Sequence, residues 1–154
     1  MLITKDNRVK IGDFGISKQL ENTVQMANTS LGTPFYLSPE VCNGNPYDYK
    51  SDAWMLGCVL YEMCTLKRPF EGESLAEVVA KIIELPYQPL DDNRFDPIFN
   101  EILSMLLNKS AILRASVPEI LAMESLQPRV EKFTKINEEY LTAVEERMEN
   151  ERLQ

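Results

Sequence analysis

Two short blocks of sequence, separated by a polar segment, decide how this chain is interpreted. Residues 10–15 read Lys-Ile-Gly-Asp-Phe-Gly, and residues 32–40 read Gly-Thr-Pro-Phe-Tyr-Leu-Ser-Pro-Glu. Between them, residues 22–30 hold few side chains suited to a core. The glycines around Asp13 favour a turn that holds its carboxylate. Pro39 suits the first turn of a helix, where a missing N–H costs little. The sequence therefore predicts a held aspartate, a loop and a short helix that ends the segment.

A third block, residues 50–67, contains the strongest predicted helix of the chain, at residues 50–65. Ser51 or Asp52 can cap its start, and residues 54–64 are apolar nearly all round. A helix that is apolar on every side is buried in the middle of a domain. Such a helix is unusual in a chain of this length unless other elements wrap it completely.

The remaining patterns predict a mainly α chain behind a small β-hairpin at residues 1–12. Short helices are predicted at 38–42, 74–84, 98–107 and 116–123, with Ser38 and Ser116 as caps of the first and last. Residues 129–154 predict one charged helix. Its apolar stripe has spacings of three and four and consists of Phe133, Ile136, Tyr140, Val144 and Met148.

Composition excludes several functional classes. The 154 residues carry a formal charge of -8, which argues against nucleic acid or an anionic membrane surface as the main partner. The chain contains no histidine, so Cys/His zinc sites and Ser-His-Asp or Cys-His nucleophiles are not expected. Its three cysteines favour a reducing compartment over a disulfide framework. No apolar run approaches transmembrane length.

Residues 1–127 resemble the C-terminal lobe of a eukaryotic Ser/Thr protein kinase, and most closely the NIMA-related (Nek) family. The resemblance rests on three blocks in the right order with the right gaps, at 12–16, 32–40 and 50–67. It implies a partial kinase domain made of a short β-hairpin, an activation segment and about five helices. Residues 128–154 then form a separate charged, amphipathic helical tail.

The resemblance assigns the first block to the nucleotide. Asp13 looks like the ligand that holds Mg²⁺ against the phosphates of ATP, and Phe14 like the packing switch that moves with it. The plainer alternatives are a turn aspartate and an ordinary core aromatic. Thr29, with Ser30 beside it, stands where many Nek activation loops are phosphorylated, and its alternative is a solvated loop threonine.

The second block is assigned to the protein substrate. Thr33 resembles the threonine that supports the catalytic aspartate and lysine, with a turn hydroxyl as the alternative. Phe35, Tyr36 and Leu37 resemble the residues that line the pocket for the substrate residue after the phosphoacceptor.

Three charged residues are assigned structural roles by the same resemblance. Glu40 and Arg114 are expected to form a buried ion pair that ties the end of the activation segment to the loop before the last helix of the lobe. Removing one partner of such a pair costs about 3–5 kcal/mol. Asp52 resembles the aspartate that in kinases anchors the backbone of the catalytic loop from below, although residues 1–154 hold no catalytic loop for it to anchor. Ala115 departs from the family, which usually has proline after the arginine.

The largest departure concerns the catalytic parts themselves. The family's His-Arg-Asp motif, strand lysine and glycine-rich loop have no counterpart in 1–154, and alignment places the second metal-binding asparagine one residue before Met1. We therefore expect this chain alone to be inactive, because positioning and electrostatics supply nearly all the rate of phosphoryl transfer.

Two functional hypotheses remain open. The first is a Nek-like kinase that uses ATP and Mg²⁺ to phosphorylate protein Ser/Thr in a full-length form. The second is a non-catalytic, pseudokinase-like binding or regulatory module that needs a partner to cover exposed core surface. Either reading implies a protein substrate or regulatory protein partner and a cytoplasmic setting, with cytoskeletal association by family analogy. Residues 129–154 add weak helix-mediated association as an expectation.

Overall fold

The computed structural model describes residues 2–5, 9–10 and 34–152 of the chain, and this part is mainly helical. Strands β1 (Leu2–Ile3) and β2 (Val9–Lys10) pair antiparallel, with Leu2 opposite Lys10. A 3₁₀ helix (Pro34–Tyr36) leads into the short helix α1 (Pro39–Cys42). The predicted hairpin and the short helix that begins at the Pro-Glu pair are thus confirmed.

Five further α-helices follow within the described residues. They are α2 (Tyr49–Thr65), α3 (Leu75–Glu84), α4 (Pro97–Leu106), α5 (Val117–Leu121) and α6 (Gln127–Arg152), with a second 3₁₀ helix (Glu124–Leu126) before α6. The predicted fold class is confirmed, because a short hairpin and five helices precede one long C-terminal helix. The predicted boundaries differ from the observed ones by one or two residues.

The start of α2 corrects the sequence interpretation. Asp48 caps the helix, and its carboxylate accepts hydrogen bonds from the backbone N–H groups of Lys50 at 2.9 Å and Ser51 at 3.2 Å. Ser51 lies inside the helix, where its Oγ accepts the N–H of Asp48 at 3.4 Å in a reciprocal capping box. Ser51 and Asp52 were therefore wrong as caps. All three residue types suit a cap, so propensity alone could not choose among them.

Helix α2 lies between two buried apolar clusters. On one side Trp54, Cys58 and Tyr61 pack against residues from α3, α4 and the loops, namely Phe70, Val78, Ile82, Leu90, Leu103 and Leu107. On the other side Ala53 packs against Ile98, Ile102, Leu106, Ala115 and Ile120. The end of the helix is less enclosed, since Met63 belongs to neither cluster and is 69% exposed.

Helix α3 is attached to the core by its apolar face and by one cation. Val78 and Ile82 are buried, and the Ser74 hydroxyl accepts the N–H of Glu77 at 3.2 Å to cap the helix. At the other end Lys109 donates hydrogen bonds to the carbonyl oxygens of Lys81 and Ile82. A cation at this position stabilises the negative end of the helix dipole. Burial lowers the pKa of Lys109 to about 8.

Helix α6 carries its described side chains at or near the surface. None of its described side chains is buried, and Phe133 is 67% exposed. Near its start Arg129 forms an exposed ion pair with Asp96, at 2.6 Å between the guanidinium nitrogen and the carboxylate oxygen. Within the described ranges, no helix has both the length and the apolar character needed to cross a membrane.

Candidate functional site

The described structure covers only part of the site proposed from sequence. Asp13, Phe14, Thr29, Ser30 and Thr33 lie outside the described residues. The structure places six of the assigned residues, namely Phe35, Tyr36, Leu37, Glu40, Asp52 and Arg114. Glu40, Asp52 and Arg114 lie around α1 and the N-terminal half of α2, whereas Phe35 and Tyr36 contact Arg68 and Glu62 at the C-terminal end of α2.

Glu40 and Arg114 meet in a two-pronged ion pair, although 74 residues separate them in sequence. The two terminal guanidinium nitrogens of Arg114 donate to Glu40 Oε1 at 2.7 Å and Oε2 at 2.8 Å. The Arg114 side chain is fully buried, and that of Glu40 is 12% exposed. This planar, bidentate geometry is one that arginine can make and lysine cannot. The pair fastens α1 to the loop before α5.

The remaining donors of Arg114 are also used. Its Nε donates to the carbonyl oxygen of Asn108 at 3.0 Å, and one terminal nitrogen also donates to the carbonyl oxygen of Lys50 at 2.7 Å. The guanidinium carbon lies 5.1 Å from the ring centroid of Trp54. A buried charge is tolerated when its hydrogen bonds are satisfied in this way. Arg114 therefore joins α1, α2 and the 107–116 loop at one point.

The electrostatics of Glu40 reflect two opposing effects. Burial raises the pKa of the carboxyl, whereas hydrogen bonds from Arg114 and Ser51 lower it, and the bonds prevail to give a pKa of about 2. The Ser51 hydroxyl donates to Glu40 Oε1 at 2.7 Å. With its pKa lowered in this way, Glu40 is ionised at neutral pH and acts as an anion that holds the segment end.

Sequence reasoning missed the polar residues of α2 that complete this pair. Ser51 was interpreted as a helix cap, yet its hydroxyl contacts Glu40. Ser38 was predicted to cap α1, but it makes no capping bond, and its hydroxyl instead donates to Ser51 Oγ at 3.2 Å. Lys50 donates to the carbonyl oxygen of Arg114 and lies 3.6 Å from the carboxylate of Glu119. No local pattern marks these residues, because their partners are distant in sequence.

The departure at Ala115 has a visible consequence. The N–H of this buried residue donates to the carbonyl oxygen of Met105, near the end of α4, at 3.1 Å. Proline has no N–H and could not make this bond. Alanine at this position therefore adds a backbone link between α4 and the loop that carries Arg114.

The substrate-side residues Phe35, Tyr36 and Leu37 are half-buried next to the end of α2. The Tyr36 hydroxyl donates to Glu62 Oε2 at 2.6 Å, and this bond is the main cause that raises the pKa of Tyr36. The guanidinium carbon of Arg68 lies 4.0 Å from the ring centroid of Phe35. Neither Glu62 nor Arg68 was singled out from sequence. Glu62 and Arg68 contact residues 35–36 only because the C-terminal end of α2 lies next to that segment.

Asp52 lies on the exposed side of α2, one residue after the buried Ser51. Its carboxylate accepts a hydrogen bond from the hydroxyl of Tyr47. Burial, followed in size by this bond to Asp52, raises the pKa of Tyr47. Asp52 is thus tied to the loop before its own helix, with its carboxylate on the outer surface.

A magnesium site cannot be assembled from the described residues alone. Among residues 2–5, 9–10 and 34–152, no three His, Cys, Asp or Glu side chains come together to hold a metal ion. The carboxylate that the sequence assigns to Mg²⁺, that of Asp13, lies outside these ranges.

Comparison with known proteins identifies this arrangement. Residues 1–126 match the family described as "Protein kinase domain". The chain belongs to the protein kinase family. Within it, the chain is 44% identical over 133 residues to serine/threonine-protein kinase Nek1 of Mus musculus and 42% identical over 134 residues to serine/threonine-protein kinase Nek5 of Homo sapiens. The resemblance to Nek-type Ser/Thr kinases noted from sequence is confirmed.

The alignments cover most of this chain but only a small part of each relative. The alignments to Nek1 and Nek5 each cover 86% of this kinase-family chain, and that to serine/threonine-protein kinase Nek8 of Danio rerio, at 41% identity, covers 92%. The same alignments cover 11%, 19% and 20% of the respective relatives. The chain thus spans one fifth or less of the length of these relatives.

Proposed function

We propose that this chain is the substrate-side half of a Nek-like Ser/Thr protein kinase, which in full-length form transfers the γ-phosphoryl group of ATP to serine or threonine of a protein. One observation carries the proposal. The buried Glu40–Arg114 pair fixes the end of the segment that contains Phe35, Tyr36 and Leu37 against α2 and the 107–116 loop. A segment held at one end by a buried, bidentate pair suits the repeated docking of a peptide.

The nucleotide side of the proposal rests on the sequence. Asp13 would hold Mg²⁺, which neutralises the phosphate charge of ATP, and Phe14 would pack beside it. Thr33 would support the catalytic residues from the substrate side. Phosphorylation of Thr29 or Ser30 would add about -1.5 to -2 charge and order the loop on a basic partner.

The 154 residues by themselves are proposed to be inactive. They contain no histidine and therefore no His-Arg-Asp motif, and the strand lysine and glycine-rich loop are likewise absent from 1–154. Without these groups a purified chain of this length should show no phosphoryl transfer above the uncatalysed background. Residues 1–127 are proposed as the kinase part and 128–154 as a helical tail that supports weak association.

The proposed partner is a protein substrate or a regulatory protein. The proposed location is the cytoplasm, with cytoskeletal association by analogy with the family. The thiols of Cys42, Cys58 and Cys64 are free, which suits a reducing compartment. The charge of -8 makes nucleic acid and anionic membrane surfaces poor partners.

The deciding experiment purifies the endogenous protein with an antibody against residues 129–154. Its mass is measured, and its kinase activity is assayed with ATP, Mg²⁺ and a general protein substrate. We expect a mass of roughly twice that of the 154-residue chain or more, with activity that Asp13→Asn abolishes. Asp6→Asn, which changes an acidic residue outside the proposed site, serves as the matched control. An endogenous protein of 154 residues without activity would instead favour the non-catalytic binding module.

A further inference from the structure

The loop after α2 brings a cation onto the segment proposed to receive the substrate. Arg68 follows the helix by three residues, and its guanidinium carbon lies 4.0 Å from the ring centroid of Phe35. Both side chains are half-buried. At this distance the guanidinium is attracted by the face of the ring, and partial removal from water strengthens the attraction. The contact fixes the plane of the Phe35 ring.

The neighbouring Tyr36 is held by the same stretch of chain. Its hydroxyl donates to Glu62 Oε2 at 2.6 Å, from the last turn of α2. Glu62 raises the pKa of this hydroxyl, whereas Arg68 lowers it, so both charges act on one oxygen. Two oppositely charged side chains, six residues apart, therefore enclose two consecutive aromatic residues of the proposed substrate segment.

A shallow groove adjoins this arrangement. It has a volume of about 500 Å³, and Phe35 and Arg68 line it together with Glu73 and Glu77. Glu77 is already paired with Lys81 at 2.7 Å. Phe35 and Arg68 lie against each other and both contribute to the wall of the groove. The orientation of one side chain therefore determines the shape of that wall.

We propose that Arg68 is a positioning residue for substrate docking. It holds Phe35 and Tyr36 in the orientation that a peptide substrate contacts, and it thereby sets the affinity of that peptide for the protein. This inference rests on the proposed function. Arg68 does not touch the phosphoryl group, so it should govern the binding of the peptide and leave the transfer step unchanged. A purely structural role would alter the stability of the chain with no selective effect on KM.

The first arm of the test uses the longest natural form of the protein and steady-state kinetics with a peptide substrate. Arg68→Met keeps a long side chain but removes the planar cation. It should raise KM for the peptide roughly fivefold while kcat changes by less than about twofold. Arg68→Lys keeps the charge without the planar stack and should give an intermediate KM. An unchanged KM in Arg68→Met, or a fall confined to kcat, would overturn the inference.

The second arm needs no catalysis and uses the 154-residue chain. Tyrosine labelled with ¹³C at Cζ reports the ionisation of each hydroxyl by NMR, and Tyr36→Phe assigns the signal. Arg68→Met should raise the pKa of Tyr36 above that of the parent chain, and Glu62→Gln should lower it. Identical titrations in Arg68→Met and the parent chain would mean that Arg68 does not hold the segment.

A matched control is available elsewhere in the fold. Arg94 lies 5.6 Å from the ring centroid of the adjacent Phe95, in an exposed loop away from the groove. Arg94→Met should leave both KM and the Tyr36 titration unchanged. If no natural form phosphorylates any substrate, the proposed function fails, and the titration arm separately decides whether Arg68 positions the aromatic segment.

Discussion

At the scale of single residues, Arg114 is the side chain on which most contacts converge. Its guanidinium serves Glu40, the carbonyl oxygens of Asn108 and Lys50, and the ring of Trp54. Such a group has no substitute in the core, because removing it leaves the Glu40 carboxylate without its main counter-charge. The Glu40–Arg114 pair holds the end of the segment at α1 in one geometry.

Arg114→Met should therefore destabilise the chain by about 3–5 kcal/mol, the usual cost of breaking a buried pair. The free energy of unfolding, from urea denaturation followed by the fluorescence of Trp54, gives the measurement. Arg129→Met is the matched control, since its pair with Asp96 is exposed and should contribute less than about 1 kcal/mol. Equal losses in the two variants would contradict the structural role assigned to Arg114.

The same pair predicts a dependence of stability on pH. The pKa of Glu40 is about 2 in the folded chain and 4.5 in its ordinary state, so folding favours the ionised form. This contribution is complete above pH 4.5 and is lost as the pH falls towards 2, with a ceiling of about 3 kcal/mol. Stability curves should show a steeper acid slope for the parent chain than for Glu40→Gln. Parallel slopes would exclude Glu40 as a source of acid sensitivity.

At the scale of elements, the position of α2 depends on its close approach to α4. A Cβ added at Gly57 would lie 2.9 Å from Leu106 Cβ and 2.9 Å from a terminal methyl carbon of Leu107. Distances this short require one helix to move. The glycine is therefore retained for packing, although it lowers the helix propensity of α2.

Gly57→Ala should destabilise the chain by about 1–3 kcal/mol, because overpacking outweighs the gain in helix propensity. Thermal and urea unfolding measure the loss. Leu107→Ala, combined with Gly57→Ala, should cost less than the sum of the two single changes, since it removes two of the three crowded atoms. A stabilised Gly57→Ala variant would mean that the helices are farther apart than the structure indicates.

At the scale of the whole molecule, α6 contributes little to the core. Its described side chains are exposed or half-buried, and its first turns are joined to α4 by the exposed Arg129–Asp96 pair. The apolar stripe predicted from sequence is therefore largely unused within one chain, with Phe133 and Ile136 more than half exposed.

A chain truncated after residue 127 should fold with nearly the stability of the parent, within about 1 kcal/mol, because no buried side chain of α6 is removed. Urea denaturation of both forms provides the comparison. Sedimentation of the parent should show weak, concentration-dependent association that the truncated form lacks. A large loss of stability on truncation would show that α6 belongs to the folded domain.

The type and order of the elements follow from the sequence alone. The apolar periodicity at 74–84 and 98–107 and the long apolar run at 50–65 predicted helices, because both are local properties of the chain. The three motif blocks identified the kinase family for the same reason, since their residue types and gaps are visible without a fold. Capping at Ser116 was also predicted, and its reciprocal bonds with Glu119 are present.

Only the tertiary structure decided which polar groups meet. Ser51 and Lys50 complete the Glu40–Arg114 pair, and Arg68 and Glu62 enclose Phe35 and Tyr36, although no local pattern marks any of these four residues. The physical reason is that a hydrogen bond or a stacked cation depends on distances of a few ångströms between segments that are far apart in sequence. Those distances are set by the packing of α2 between its two apolar clusters.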